Sequence, residues 1–128
     1  MNIYTSYFAN HKELQRHGIK MIGITRFPPK WFNGLNLDIL SPTKDLLMDF
    51  KNGKITKDVF ATRYIQELEA IGKQQICDKL ISLSYDCPIA LCCYETSEDF
   101  CHRHILAEYL KDLMDIKEFL SLTNNALF

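Results

Sequence analysis

The chain has no apolar run approaching the roughly eighteen residues that a membrane span requires. It also lacks an excess of either charge, with fifteen Lys and Arg against sixteen Asp and Glu. The first absence argues against a spanning helix. The second removes the electrostatic case for sequence-independent nucleic-acid binding, which depends on clustered cations. The opening residues, MNIYTSYFANHKEL, carry neither a basic segment nor a long apolar one, so no secretory leader is expected. Neither CxxC nor HxxxH spacing occurs, and the five cysteines include an adjacent pair, Cys92 and Cys93, inside one apolar run. A secreted disulfide framework does not take that form, and the expectation is a cytoplasmic protein in a reducing compartment. Repeats and low-complexity tracts are missing as well.

What remains is the make-up of an ordinary globular domain: 128 residues, 47% hydrophobic and 24% charged, expected to fold as a single domain over 1–128. Residues 2–6 favour a strand. Asn10 and Gly18 bracket a short helix, and IKMIGIT at 19–25 is nearly continuously apolar, which together predicts a βαβ unit with parallel strands. A long loop from Arg26 to Pro42 combines three prolines with Phe27, Trp31 and Phe32. Thr43 and Thr56 are placed to cap two helices, and Ile76, Leu80, Ile81 and Leu83 mark a third. PIALCC at 88–93 is apolar on both parities, as a central strand covered on both faces would be. A helix is expected over about 100–113, and DIKEFLSL reads as a final edge strand or a helix. The expected fold is a single-domain α/β three-layer sandwich around a small, mostly parallel sheet.

In such sheets ligands bind beyond the carboxyl ends of the strands. Those ends are Ser6-Tyr7, Thr25-Arg26 and Tyr94-Glu95, followed by Cys101-His102-Arg103 at the next helix start. On a helical wheel Leu106, Tyr109, Leu110 and Leu113 form the apolar face, and His102 and Arg103 flank it, facing the sheet. Three readings of the triplet stay open. Cys101 is a nucleophile, its thiol acidified by the helix N-terminus and neighbouring cations. Alternatively Arg103, with Arg26, holds a phosphate or carboxylate while His102 donates or transfers a proton. Or the residues simply pair and hold a loop, with Glu95 as the partner an inward Arg needs. Six Cys and His residues crowd into 87–104, but Cys92 and Cys93 must point to opposite faces of a strand, so no metal and no cofactor is expected. The aromatic loop either completes the core or forms a lid whose rings stack on a flat ligand. Tyr64, in mid-helix, is assigned to the core.

The stretch CCYETSEDFCHRHILAEYL, together with NIYTSYFAN, IGITRFPP and ITKDVFATRYIQEL, resembles domain-of-unknown-function family four-eight-eight. The resemblance covers most of the chain. It implies a compact α/β fold with family-typical residues at Arg26, Glu95, Cys101, His102 and Arg103. Many relatives carry Asp-Val-Arg at the second strand, where this chain has Ile24-Thr25-Arg26. The chain is short for the family, which would suit a phage or mobile-element version.

The leading expectation is a domain that binds a small anionic, nucleotide-like molecule at the strand ends. Ser6, Tyr7, Arg26, Phe27, Trp31 and Arg103 are the expected ligand contacts; in an enzyme, His102, Cys101 and Glu95 would carry hydrolysis or transfer. The competing expectation is non-catalytic: sequestration of a nucleotide-derived signal, or a protein-interaction module such as a phage accessory protein. Neither a membrane nor nucleic acid is an expected partner, and an oligomer is compatible with the sequence.

Overall fold

The computed structural model describes residues 2–95 and 100–120. Its element order is β1 (Ile3–Tyr7), α1 (His11–Arg16), β2 (Lys20–Gly23), α2 (Lys44–Lys51), α3 (Lys57–Ile71), α4 (Lys73–Leu83), β3 (Ile89–Cys93), α5 (His102–Tyr109) and β4 (Lys117–Glu118). Among the described residues the strands form a four-stranded sheet in the order β2-β3-β1-β4, parallel throughout. The expected βαβ unit has both its strands, parallel as predicted, but they are not neighbours. The wholly buried β3 lies between β1 and β2, because it alone is apolar enough to be covered on both faces.

Strand parity divides the core into two layers. Ile3, Ile22, Ile89 and Leu91 pack with Leu46, Phe60, Tyr64, Leu68, Leu80 and Leu106 on the side of the four longer helices. Ala90 and Cys92 pack with Phe8, Leu14, Ile19 and Phe119 on the side of α1. The three-layer sandwich is therefore present, with a thick layer and a thin one. Tyr64 is a core residue, fully buried with its hydroxyl donating to the Leu40 carbonyl at 2.5 Å.

Local chemistry sets the helix ends. The Thr43 hydroxyl accepts from the Leu46 N–H, and the Thr56 hydroxyl from the Val59 N–H, as N-caps do. Gly72, at φ +108, breaks α3 from α4. Helix α5 is shorter at both ends than its apolar pattern predicts. It begins only at His102, since Cys101 is extended, and stops at Tyr109, leaving Leu113 outside it and 47% exposed. The 117–118 edge strand resolves the ambiguity of the last segment, pairing Thr5 with Glu118. Strand β2 stops at Gly23, earlier than predicted, because its backbone next pairs with the loop: Gly23 N–H to Leu35 O, and Leu37 N–H to Gly23 O.

Candidate functional site

A cleft of about 330 Å³ opens at the carboxyl ends of β2 and β3. Thr25, Arg26 and Phe27 leave β2 along one wall, and Tyr94 and Glu95 leave β3 along another. Leu47 and Lys51 of α2, with Ser41 and Pro42 before it, close the third side, and His102 reaches in from the start of α5. An adjoining hollow of about 210 Å³ shares Leu47, Lys51, Glu95 and His102, and is floored by Phe50, Phe60, Phe100 and Cys101. The Tyr94 hydroxyl donates to the Phe27 carbonyl at 2.5 Å, tying the two walls together. Thr25 is held from behind, since Asn36 Nδ2 donates to its carbonyl at 2.7 Å.

The electrostatics are uneven. Arg26 and Lys51 bring two cations to the cleft and Glu95 one carboxylate. The Nε of Arg26 is buried without a hydrogen-bond partner. A buried, unpaired N–H of a cation is costly, and pairing it with an acceptor would recover that cost.

His102 is buried, and its Nε2 lies 2.6 Å from the Ile24 carbonyl oxygen. A carbonyl only accepts, so Nε2 carries the proton and Nδ1 is the bare nitrogen. Nδ1 in turn lies 3.8 Å from Cys101 Sγ. Burial pushes the imidazole down to about 4, with the Ile24 hydrogen bond opposing that shift and the Arg103 and His104 charges adding to it. The ring is thus neutral at pH 7, and its bare Nδ1 can accept from Cys101 only when that residue is a thiol. Adjacent side chains diverge within a helix; the contact forms because Cys101 is the N-cap, with φ −151 and ψ 147.

Cys101 Sγ is joined to Cys93 Sγ at 2.11 Å, across the loop between β3 and α5. In this oxidised form Cys101 offers no thiol, so the expected nucleophile exists only after reduction. The two sulfurs and a ring nitrogen of His102 lie within 4.8 Å of one another, a set that could hold a metal ion only as free thiolates. Cys92 faces the opposite layer, and burial pushes its thiol up to about 12, an inert group.

Arg103 departs most from the expectation. It faces inward as the wheel predicts, but it is fully buried and does not line the cleft. Its Nε and Nη2 donate to the two oxygens of Glu118 at 3.1 and 3.0 Å, and its Nη1 donates to the Glu95 carbonyl at 2.7 Å and to Cys93 Sγ at 2.8 Å. The carboxylate that neutralises it is therefore Glu118, not Glu95, whose backbone alone reaches it. The side chain of Glu95 is exposed along the cleft.

The remaining predicted contacts divide. Arg26 and Phe27 line the cleft. Ser6 is fully buried and accepts from Asn10 Nδ2 at 3.1 Å, while the Tyr7 ring lies under the Arg103 guanidinium at 5.9 Å. Trp31 turns to the α1 side, its ring packed at a tilt against His11 at 4.6 Å between centroids, so it lines a different hollow. The aromatic loop is split: Phe27 guards the cleft, while Phe32 joins the thin core layer. Sequence reasoning missed Lys51, Ser41 and Pro42, which nothing in the chain distinguishes from ordinary helix-flanking residues. It also missed Glu118, which the pairing of a two-residue edge strand with β1 brings beside Thr5, with no signal for it along the chain.

A single-domain α/β protein with a cleft at its parallel strand ends, and a Cys-His pair beside it, is the class that fold and site define. Residues 5–113 match the family DUF488-N3a, described as the active DUF488-N3 subclade, and the chain belongs to it. No curated protein and no solved structure matches the chain. Among the described residues no helix is long and apolar enough to cross a membrane.

Proposed function

We propose that the cleft binds a small anionic, nucleotide-like molecule, and that the reduced Cys101–His102 pair acts on it. The observation that carries this reading is the buried Nε of Arg26, an unpaired cationic donor at the wall of a cleft that Lys51 also lines. A phosphate or carboxylate oxygen would satisfy it. Phe27 and Tyr94 both line the cleft, where aromatic side chains could pack on a flat ring. With Cys101 as a thiol, its S–H faces the bare Nδ1 of His102, and the sulfur attacks an electrophilic atom of the ligand as its proton passes through that nitrogen to the leaving group. The leaving group departs, and water or an acceptor then displaces the sulfur, giving hydrolysis or transfer at a glycosidic or phosphate bond. The family description as an active subclade supports the catalytic version.

The test begins with mass spectrometry of any small molecule released when the purified protein is denatured. Adenosine monophosphate and inorganic phosphate then serve as probes in calorimetric titration. Arg26→Ala should weaken binding by about tenfold or more, the magnitude of a lost charged hydrogen bond. Cys101→Ser should bind the released molecule normally and return it unchanged. Equal affinity of wild type and Arg26→Ala for every ligand tried would end the proposal. Conversion by Cys101→Ser at the wild-type rate would end its catalytic half.

A further inference from the structure

We propose that Cys93 and Cys101 form a reversible disulfide that switches the cleft, with Cys101 as the sulfur that meets oxidant and reductant and Cys93 as its resolving partner. The proposal rests on the reading of Cys101 as the reactive sulfur of the site and adds its regulation.

The two sulfurs sit in unlike surroundings. Cys101, the N-cap of α5, floors the hollow that adjoins the cleft and has the bare Nδ1 of His102 beside it. Cys93 closes the central strand, 1% exposed, with Arg103 Nη1 donating to its sulfur at 2.8 Å. Arg103 cannot swing away, because Glu118 grips its Nε and Nη2 and the Thr5 hydroxyl donates to Glu118 at 2.7 Å. A cationic N–H fixed on a sulfur favours the thiolate there. Arg103 Nη1 thus steadies the charge on Cys93 as it leaves when the bond is cut and as it attacks when the bond forms. Cys101, itself only 3% exposed, is the sulfur that borders a hollow through which a molecule could approach. Access and leaving-group stability both govern thiol–disulfide exchange, and here they assign the same roles.

The chemistry balances with two reactants of ordinary class. In oxidation, the Cys101 thiol attacks the terminal oxygen of a hydroperoxide. The O–O bond breaks and an S–O bond forms, leaving a sulfenic acid and releasing the alcohol, or water from hydrogen peroxide. The Cys93 thiolate then attacks that sulfur. The S–S bond forms, and the departing hydroxide takes the proton given up by the second thiol and leaves as water. Two thiols have lost two electrons to one peroxide. In reduction, one thiolate of a dithiol reductant attacks Cys101 Sγ and Cys93 departs onto Arg103. The second thiol of the reductant then closes its own disulfide and frees Cys101 beside His102. The nucleophile is thus absent in the oxidised form and present in the reduced one.

The test uses the full chain, reduced with dithiothreitol, desalted and exposed to substoichiometric hydrogen peroxide, then alkylated and mapped as non-reduced peptides. A cross-linked Cys93–Cys101 peptide is expected, with Cys101 consumed about tenfold or more faster than Cys77 or Cys92. Cys93→Ser and Cys93→Ala should both halt at a Cys101 sulfenic acid that dimedone traps. Cys101→Ser should leave Cys93 unmodified over the same time. A wild-type map without the cross-link overturns the proposal, and so does equal oxidation of Cys93 with Cys101 replaced. Zinc that copurifies and protects both sulfurs would overturn it too, in favour of a metal site. None of these readouts involves the anionic ligand, so loss of the switch and loss of anion binding are separable results.

Discussion

Arg103 and Glu118 meet in a two-pronged pair, Nε to Oε1 at 3.1 Å and Nη2 to Oε2 at 3.0 Å, with the arginine side chain wholly buried and the carboxylate 18% exposed. The pair joins the start of α5 to the edge strand β4, and Thr5 of β1 anchors the carboxylate from the sheet. With Nη1 on the Glu95 carbonyl and on Cys93, one side chain stitches together β3, α5 and β4. A residue expected to hold a ligand thus proves to be the strut behind the site.

Removing one partner of such a pair leaves a buried charge unmatched, which costs on the order of 3–5 kcal/mol. Glu118→Ala should lower the urea-denaturation stability by an amount in that range. The double variant Arg103→Met, Glu118→Leu should recover part of the loss, because no charge is left stranded. The affinity of Glu118→Gln for adenosine monophosphate should stay within about threefold of wild type, a fraction of a kcal/mol. A large affinity loss at full stability would return Arg103 to the ligand.

The buried imidazole gives a pH signature. His102 is held down to about 4, while the unfolded chain has an ordinary histidine near 6.5, so the unfolded state binds the proton more readily. Its contribution is fully present above pH 6.5 and is lost as pH falls from 6.5 through 4, a total of about 3 kcal/mol. Glu and Asp titration overlaps the lower part of this window, so the readout is the difference from His102→Gln. Plotted against pH, wild type minus variant should slope between pH 6.5 and 4 and flatten above; a flat difference throughout would sink the assignment.

Tyr64 offers a cleaner packing test. Its hydroxyl donates to the Leu40 carbonyl inside the core, and burial raises its pKa, so it serves as a neutral donor. Tyr64→Phe keeps the ring against Phe60 and leaves that carbonyl unpaired, which should cost about 1–3 kcal/mol in thermal or urea unfolding. A neutral substitution would mean that water reaches Leu40.

What could be read in advance follows from how local each signal is. Apolar periodicity placed β3 between two layers and turned His102 and Arg103 inward, because both depend only on neighbours along the chain. Thr43, Thr56 and Gly72 were legible as caps and breaks for the same reason. The partner of Arg103 was not, since Glu118 is fifteen residues away on an edge strand of two residues and Glu95 is closer in sequence. The sulfur partner of Cys101 was hidden similarly: parity set Cys92 and Cys93 on opposite faces, but only the extended N-cap brings Cys101 to Cys93. Trp31 and Phe27 share a loop of one composition, and the fold alone decides that they face different hollows.

The turn from β2 into the cleft depends on a missing side chain. Gly23 is where the strand leaves the sheet and takes up the loop, and a Cβ there would lie 2.2 Å from Asn36 Oδ1 and 3.3 Å from the Phe32 ring. Asn36 cannot yield freely, because its amide also donates to the Thr25 carbonyl, one residue before Arg26. Gly23→Ala should therefore act twice. It should destabilise the fold by roughly 1–3 kcal/mol through overpacking, and it should displace Thr25 and Arg26 enough to weaken adenosine monophosphate binding severalfold. Asn36→Ala separates the two effects: it makes room for no new atom but releases Thr25, so it should lower affinity with a smaller loss of stability. If Asn36→Ala binds as wild type does while Gly23→Ala does not, the wall of the cleft is set by packing and not by the asparagine.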